Sequence, residues 1–480
     1  MKYAILFLSL LASPLCEAQS YNEPFRPQFH FSPAKNWTND PNGLVFYKGE
    51  YHLFYQYNPF GDVWGHMSWG HAISPDLVHW QHLSVALAEE NGIMIFSGSA
   101  VVDRNNSSGL CTGTDCLVAI YTGHTDTLQT QNIAYSNDRG RTWTKYKGNP
   151  VIDLHMKDFR DPKVFWHEPS HRWIMVVSLP KEHKVRFFAS HDLKQWTPLS
   201  DFGPAGSTKG DWECPDLYPL LQDRWMLSIN INPGAPLGGS GNQYFVGRFD
   251  GTKFTNENPA STALWADYGK YFYASTSFND IPASDGRRIW IGWLSNWQYA
   301  RDEPTSPFRC IQSIPRVLKL KSMPEGIRLI QEPVAELQSL RTGPIHLANT
   351  TVADVNAKLR DFHSDSYEIV ARFDGNAAFH LRKGPSEETL VGYDGQLFVD
   401  RRKSGNTNFS KDFPGIHRAP LAGPPILHIF VDRSSVEVFG GSGEAVISDR
   451  IFPSPQSTSL ELSGAGKVVS LDIWKLKSIW

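Results

Sequence analysis

The stretch Ser74-Pro75-Asp76-Leu77-Val78-His79-Trp80 returns in outline as Ser136-Asn137-Asp138 running to Trp143, and again as Ser190-His191-Asp192-Leu193-Lys194-Gln195-Trp196. A degenerate fourth copy reads Arg248-Phe249-Asp250-Gly251-Thr252-Lys253-Phe254. The copies are spaced by about 50 to 65 residues, the range of one four-stranded propeller blade. Upstream of them, strand-like runs flank short turns. Leu44-Val45-Phe46-Tyr47 and Tyr51-His52-Leu53-Phe54-Tyr55 bracket Lys48-Gly49-Glu50, and Lys163-Val164-Phe165-Trp166 with Trp173-Ile174-Met175-Val176-Val177 repeats that pattern. Leu217-Tyr218-Pro219-Leu220 with Trp225-Met226-Leu227-Ser228-Ile229 makes a third instance. An all-β chain with propeller blades is expected.

Three acidic motifs stand at similar places in these units: Asn39-Asp40-Pro41-Asn42-Gly43, Arg160-Asp161-Pro162 and Glu213-Cys214-Pro215-Asp216. Asp-Pro and Asn-Gly are common turn dipeptides, so any one motif alone reads as punctuation. Here Asp40, Asp161 and Glu213 each precede the aromatic end of a repeat by about 35 to 41 residues. Inner propeller strands converge on a central channel, so equivalent positions on them face one funnel. Three carboxyl groups gathered there suit glycoside chemistry.

With 480 residues the chain is long enough for two domains. A formal net charge of -3, with no basic stripe, argues against nucleic acid as a partner. Lys2, the apolar run Ala4 to Leu11 and the small-residue site Cys16-Glu17-Ala18 predict a signal peptide over residues 1–18 and export of the mature chain. No later run is long enough to span a bilayer, so no membrane anchoring is expected. Asn36, Asn105, Asn106, Asn349 and Asn408 head Asn-x-Ser/Thr triplets, possible N-glycan acceptors in a eukaryotic host. Once Cys16 leaves with the leader, Cys111, Cys116, Cys214 and Cys310 allow three connectivities. Cys111 and Cys116 bracket a polar loop, which makes a local bridge the first expectation, with Cys214 reduced beside Glu213.

Beyond residue 330 the pattern changes. Glu332 to Leu340 reads as a short connector, giving a propeller over 19–330, a linker over 331–343 and a β-sandwich over 344–480. Within the last region Leu427-His428-Ile429-Phe430-Val431 and Val436-Glu437-Val438-Phe439 flank the turn Asp432-Arg433-Ser434-Ser435 as a hairpin. His167-Glu168-Pro169-Ser170-His171 matches the zinc-protease string, but that chemistry needs a helix, and Pro169 between strand-like runs predicts a hairpin. His66, His71, His79 and His82 lack ligand spacing, so no metal site is expected.

The blocks Trp37-Thr38-Asn39-Asp40-Pro41-Asn42-Gly43, Phe96-Ser97-Gly98-Ser99, Arg160-Asp161-Pro162 and Glu213-Cys214-Pro215-Asp216 resemble the signatures of glycoside hydrolase family 32, the invertases, exo-inulinases and levanases. Asp267-Tyr268-Gly269, Phe272-Tyr273-Ala274, the run from Gly292 to Ala300 and the run from Phe430 to Glu437 carry the resemblance over nearly the whole mature chain. It implies a five-bladed β-propeller followed by a C-terminal β-sandwich, and a secreted, retaining exo-β-fructofuranosidase acting on sucrose, inulin or levan without a cofactor. By the same resemblance Asp40 is the nucleophile, Glu213 the general acid and base, and Asp161 the transition-state stabiliser, oriented by Arg160. Asn39, Gln56, Trp64, Phe96, Ser97, Tyr273 and Trp293 match positions that line the terminal-fructose pocket, with Trp297 as the alternative to Trp293. Family members usually carry Asp where this chain has Tyr271, which implies one charge fewer near the pocket rim. Two other functions are open: fructosyl transfer, recognised by oligosaccharide products at high sucrose, and a non-catalytic fructan-binding protein, recognised by binding without sugar release.

Overall fold

The computed structural model describes residues 21–480, so the signal-peptide expectation lies outside the described residues. The described chain is almost entirely β, and its single α-helix among the described residues, Val352–Leu359, was not expected from the strand-rich sequence around it. Thr351 caps that helix by accepting from Asp354 N, while the Asp354 side chain returns a bond to the Thr351 backbone. This reciprocal cap is a helix-start signal that the alternating pattern masks.

Among the described residues, five sheets, antiparallel except for one short strand, occupy the first two-thirds of the chain. Each opens with one strand, mostly buried in all but the fourth: Asn36–Tyr47, Met94–Asp103, Arg160–His167, Asp211–Leu221 and Tyr273–Ser277. These five strands pack against one another in cyclic order, the fifth returning to the first. The short strand Phe308–Arg309 pairs in parallel with Asn36 and Trp37, so the end of this region is fastened to its beginning.

The recurring Ser-x-Asp stretch is the turn between the third and fourth strands of a sheet. Asp76 Oδ1 accepts from the Ser74 hydroxyl (3.1 Å) and from the backbone of Val78 (3.0 Å) and His79 (2.8 Å). Asp138, Asp192 and Asp250 hold backbone N–H groups of their own turns in the same way. An Asp side chain that closes its own turn explains why this residue, more than its neighbours, persists in all four copies.

The connector is a 3-10 turn, Ala335–Leu340, but the strand before it, Gly326–Pro333, runs past residue 330 in pairing with Arg316–Met323. The remaining chain forms a six-stranded and a five-stranded antiparallel sheet. Alternate residues of Tyr367–Asp374 (Tyr367, Ile369, Ala371, Phe373) meet Phe379 and Leu381 in one apolar core, as period-two strands require. The His167–His171 segment is a hairpin turn, and Cys111 is bridged to Cys116 while Cys214 and Cys310 are free.

A buried polar cluster ties the start of the described chain to its late strands. His30 Nδ1 lies 2.8 Å from Asp432 Oδ2, His30 Nε2 lies 2.8 Å from Glu437 Oε1, and all three side chains are fully buried. Burial alone would lower the His30 pKa, but the hydrogen bonds to Asp432 and Glu437 carry it above its ordinary value. Asp432 and Glu437 are held below theirs: burial opposes this, while His30 helps both and Arg316 bears mainly on Glu437. The raised His30 contributes stability that is lost as pH rises through its folded pKa, and the lowered carboxyls contribute stability that is lost as pH falls through theirs. The cluster is therefore strongest in mildly acidic solution. His30→Ala is expected to cost about 3 kcal/mol in urea unfolding, because it strips one partner from two buried carboxylates.

Candidate active site

Each of the five inner strands breaks its pairing register near its start: between Thr38 and Pro41, Ile95 and Gly98, Arg160 and Lys163, Glu213 and Asp216, and Tyr273 and Thr276. A bulge leaves residues unpaired and re-aims their side chains. Pro41, Pro162 and Pro215 stand in three of these breaks and cannot donate to a ladder. Asp161 (φ 67°), Cys214 (φ 43°) and Ala274 (φ 51°) adopt the left-handed region there. Such backbone costs on the order of 1–3 kcal/mol per residue and persists only where surroundings fix it. At Asp161 the fixing bonds are visible: its N–H donates to Thr122 Oγ1 (3.0 Å), and its Oδ2 accepts from Cys214 N (2.9 Å). At Gly98 a Cβ would fall 2.0 Å from the Ile120 carbonyl oxygen, so only glycine fits that bulge.

The bulges bring Asp40, Asp161 and Glu213 to one cavity of about 420 Å³. Asp40 and Asp161 meet at a single sulfur: Cys214 Sγ lies 3.5 Å from Asp40 Oδ2 and 3.6 Å from Asp161 Oδ2. Asp40 also accepts from Ser97 Oγ (2.5 Å) and Asn39 Nδ2 (3.0 Å), and Asn39 Oδ1 is itself fixed by Trp37 Nε1 (2.7 Å). Glu213 has partners of its own. Its Oε1 accepts from Arg160 Nε (3.0 Å) and its Oε2 from the Tyr273 hydroxyl.

Asn39, Gln56, Trp64, Phe96, Ser97, Arg160 and Tyr273 all line the cavity. Trp293 does not. It is fully buried on Tyr273 and Trp297, and Trp297 takes the place on the wall. The reason is packing: Trp37, Tyr273 and Trp297 close over the Trp293 ring, and Trp297, beyond the strand end at Trp293, forms the wall. Two further expectations are corrected. Arg160 grips Glu213, Asp158 (3.0 Å) and Gln129 (3.3 Å), with no hydrogen bond to Asp161, and the Cys214 thiol faces Asp40 and Asp161 where Glu213 was expected. Tyr271 is fully buried among Tyr299, Phe413 and Arg401 and does not line the cavity.

Residues that sequence reading missed complete the wall. His124 stacks on Phe96 with ring centroids 4.0 Å apart, and Gln129, Asp158, Asp211, Asn232 and Arg301 close the remainder. Asp158 and Asp211 carry a weak signal, each two positions before an acidic motif. The others come from loops and strands with no motif of their own.

Burial dominates the electrostatics. It pushes the Asp161 carboxyl up to about 7, against Arg160 and with help from Glu213 and Asp40. It also raises Asp40, against the hydrogen bonds from Ser97 and Asn39. A carboxyl whose folded pKa is raised favours folding below its unfolded pKa, and that advantage is lost as pH climbs through the folded value. Asp161→Asn is therefore expected to raise the melting temperature by about 2 °C or more at pH 8 and to leave it unchanged near pH 3, a comparison readable by calorimetry.

Known proteins share both the sequence and this architecture. The chain matches the models of the glycosyl hydrolases family 32 N-terminal domain over residues 30–333 and of the family 32 C-terminal region over residues 336–475. It is 51% identical to a levanase of Bacillus subtilis over 100% of this chain and 74% of the relative. It is 40% identical to an extracellular exo-inulinase of Aspergillus ficuum over 97% of each. Among solved structures, the exo-inulinase of Aspergillus awamori superposes with a TM-score of 0.88 at 40% identity, covering 96% of this chain and all of the other. A fructofuranosidase of Schwanniomyces occidentalis complexed with fructose follows with a TM-score of 0.85 at 33% identity, covering 94% of this chain and 98% of its own. Two family models that between them take in nearly all the described residues, the first of them spanning every residue of the cavity wall, leave one assignment: the chain belongs to glycoside hydrolase family 32.

Proposed function

We propose that the protein is a secreted, retaining exo-β-fructofuranosidase that releases terminal fructose from levan and inulin, and from sucrose, by double displacement. The observation that carries this reading is the separation of carboxyl environments in one cavity. Asp40 lies among hydrogen-bond donors beside Asp161, while Glu213, in the same cavity, is held by Arg160 and Tyr273.

In the first step an Asp40 oxygen forms a bond to the anomeric carbon as the bond to the departing alcohol oxygen breaks, and the Glu213 proton passes to that oxygen. In the second, Glu213 takes a proton from water, the water oxygen attacks the same carbon, and Asp40 leaves. Ser97 and Asn39 hold Asp40 in one orientation for both steps. Asp161, locked in left-handed backbone beside Asp40, is placed to bind fructose hydroxyls more strongly as the ring flattens. Both steps need only carboxyl groups and water, so the mechanism calls on no cofactor.

The cyclic contacts of the five inner strands and the closure by Phe308–Arg309 support a five-bladed propeller, and the two later sheets around one core support a β-sandwich. We place the end of the propeller at Pro333, where its last strand ends, and the sandwich from Arg341 onward. Secretion is supported by the extracellular exo-inulinase among the relatives. In a host that glycosylates, the exposed Asn349 and Asn408 are the acceptors, because the Asn36 and Asn106 amides are engaged by Pro59 O (2.9 Å) and Cys111 O (3.1 Å) and Asn105 lines a second cavity. Chromatography of products from sucrose, inulin and levan over time tests the reading. Free fructose from both polymers from the earliest times is the expected result; early oligosaccharides from the polymers would favour endo-attack, and new oligosaccharides from concentrated sucrose would favour transfer.

A further inference from the structure

A second cavity, of about 710 Å³, opens at the opposite end of the same inner strands. The proposed catalytic acids sit near the starts of their strands, whereas this lining comes from the far ends: Val101 to Asp103, Phe165 to His167, Leu217 to Pro219, and Asn279 just beyond Ser277. Between the two cavities only a void of about 20 Å³ remains, and polar side chains plug the interior around it. Lys163 Nζ pairs with Asp216 Oδ2 at 3.2 Å, and Asn279 Nδ2 donates to the carbonyls of Ala100 (2.8 Å) and Val164 (2.9 Å). A molecule in the second cavity is therefore distinct from the one being cleaved.

The lining has the chemistry of a sugar site. Trp166 is 39% exposed, yet its ring is braced edge-on against Trp173 (5.2 Å) and its indole N–H donates to Glu168 Oε2 (2.6 Å). Trp225 is half-buried and braced against Phe165 (5.7 Å). Rings fixed in this way offer flat apolar surface at little further entropic cost. Beside them Tyr218 is 1% exposed and its hydroxyl has no hydrogen-bond partner among the described residues. Charges of both signs alternate: Arg104 pairs with Asp280 (3.1 Å), and Arg288 lies over the Tyr218 ring at 5.1 Å. An ion would meet little net field and a lipid tail would meet charges, whereas a neutral polyhydroxylated chain uses both the rings and the paired donors and acceptors. We propose that this cavity is a carbohydrate-binding site that holds a fructan segment away from the site of cleavage. The choice of fructan rests on the proposed function.

The test uses the full chain carrying Asp40→Asn, so that polymer is bound without being consumed, with and without Trp166→Ala. In native gels containing levan or inulin, the Asp40→Asn protein is expected to be retarded and the double variant to run about tenfold less retarded, while dextran retards neither. Calorimetric titration with inulin oligosaccharides is expected to fit two sites in the first protein and one in the second. Trp166→Ala alone is expected to turn over sucrose at the parental rate, which also shows that it folds. Equal retardation of both proteins, equal retardation in dextran, or one site in both titrations would overturn the proposal. Loss of all fructoside hydrolysis and binding by the parent would instead overturn the function on which it rests.

Discussion

Asp40→Asn is expected to lower kcat on sucrose and inulin by about a thousandfold or more, a loss of roughly 4 kcal/mol of barrier lowering, while the protein stays folded. The expectation for activity follows from electron count: an amide cannot form the ester to the anomeric carbon on which double displacement depends. The expectation for folding follows from the surroundings. The Asn39 amide keeps an oxygen to donate to, and the Ser97 hydroxyl can turn to accept from the new NH2 group. Because burial already holds Asp40 above the ordinary carboxyl range, removing its charge relieves a desolvation cost. Rates with sucrose as the only substrate, read beside a thermal melt, check both halves. Turnover within tenfold of the parent would remove Asp40 from the nucleophile role.

Much of this site was legible because chemistry and turn geometry fall on short contiguous stretches. The Ser-x-Asp repeat could be read since each Asp closes its own turn, a local demand that leaves a local signature. The acid-proline pairs could be read since proline at a bulge is also local. What could not be read is what distant segments decide. Trp293 and Trp297 stand in one short run, and only the rings of Trp37 and Tyr273, from distant strands, tell which is covered. Tyr271 was placed near the rim by analogy, but Phe413 and Arg401, more than a hundred residues later, enclose it. Arg160 stands next to Asp161 and both line the cavity, yet the register break and the left-handed backbone at Asp161 turn the two side chains to different partners, and the Arg160 guanidinium reaches the neighbouring sheet at Glu213. The helix Val352–Leu359 failed for a related reason: its Thr351–Asp354 cap is short and its neighbours on both sides are strands.

If Glu213 supplies and recovers the proton, its removal has to hurt poor leaving groups more than good ones. Glu213→Ala is expected to cut sucrose turnover by about a thousandfold, since the departing glucose oxygen then leaves unprotonated. With a nitrophenyl β-fructofuranoside the leaving group needs no proton, so the first step survives and the second, which lacks its base, becomes limiting. One equivalent of nitrophenol should appear in a burst, followed by slow turnover with a lowered KM. Azide needs no base and fits the space vacated by the carboxyl, so it should speed turnover at least tenfold and yield fructosyl azide of retained configuration. Arg160 stays in place meanwhile through Asp158 and Gln129, which confines the change to the proton path. In Asp40→Ala the vacancy lies on the opposite face, so any azide product there should have inverted configuration. Two variants that differ in product stereochemistry from one substrate locate the two carboxyl groups on opposite sides of the anomeric carbon. Equal loss on both substrates in Glu213→Ala, with no azide product, would mean that this residue acts by holding Arg160 and Tyr273 and does not transfer the proton.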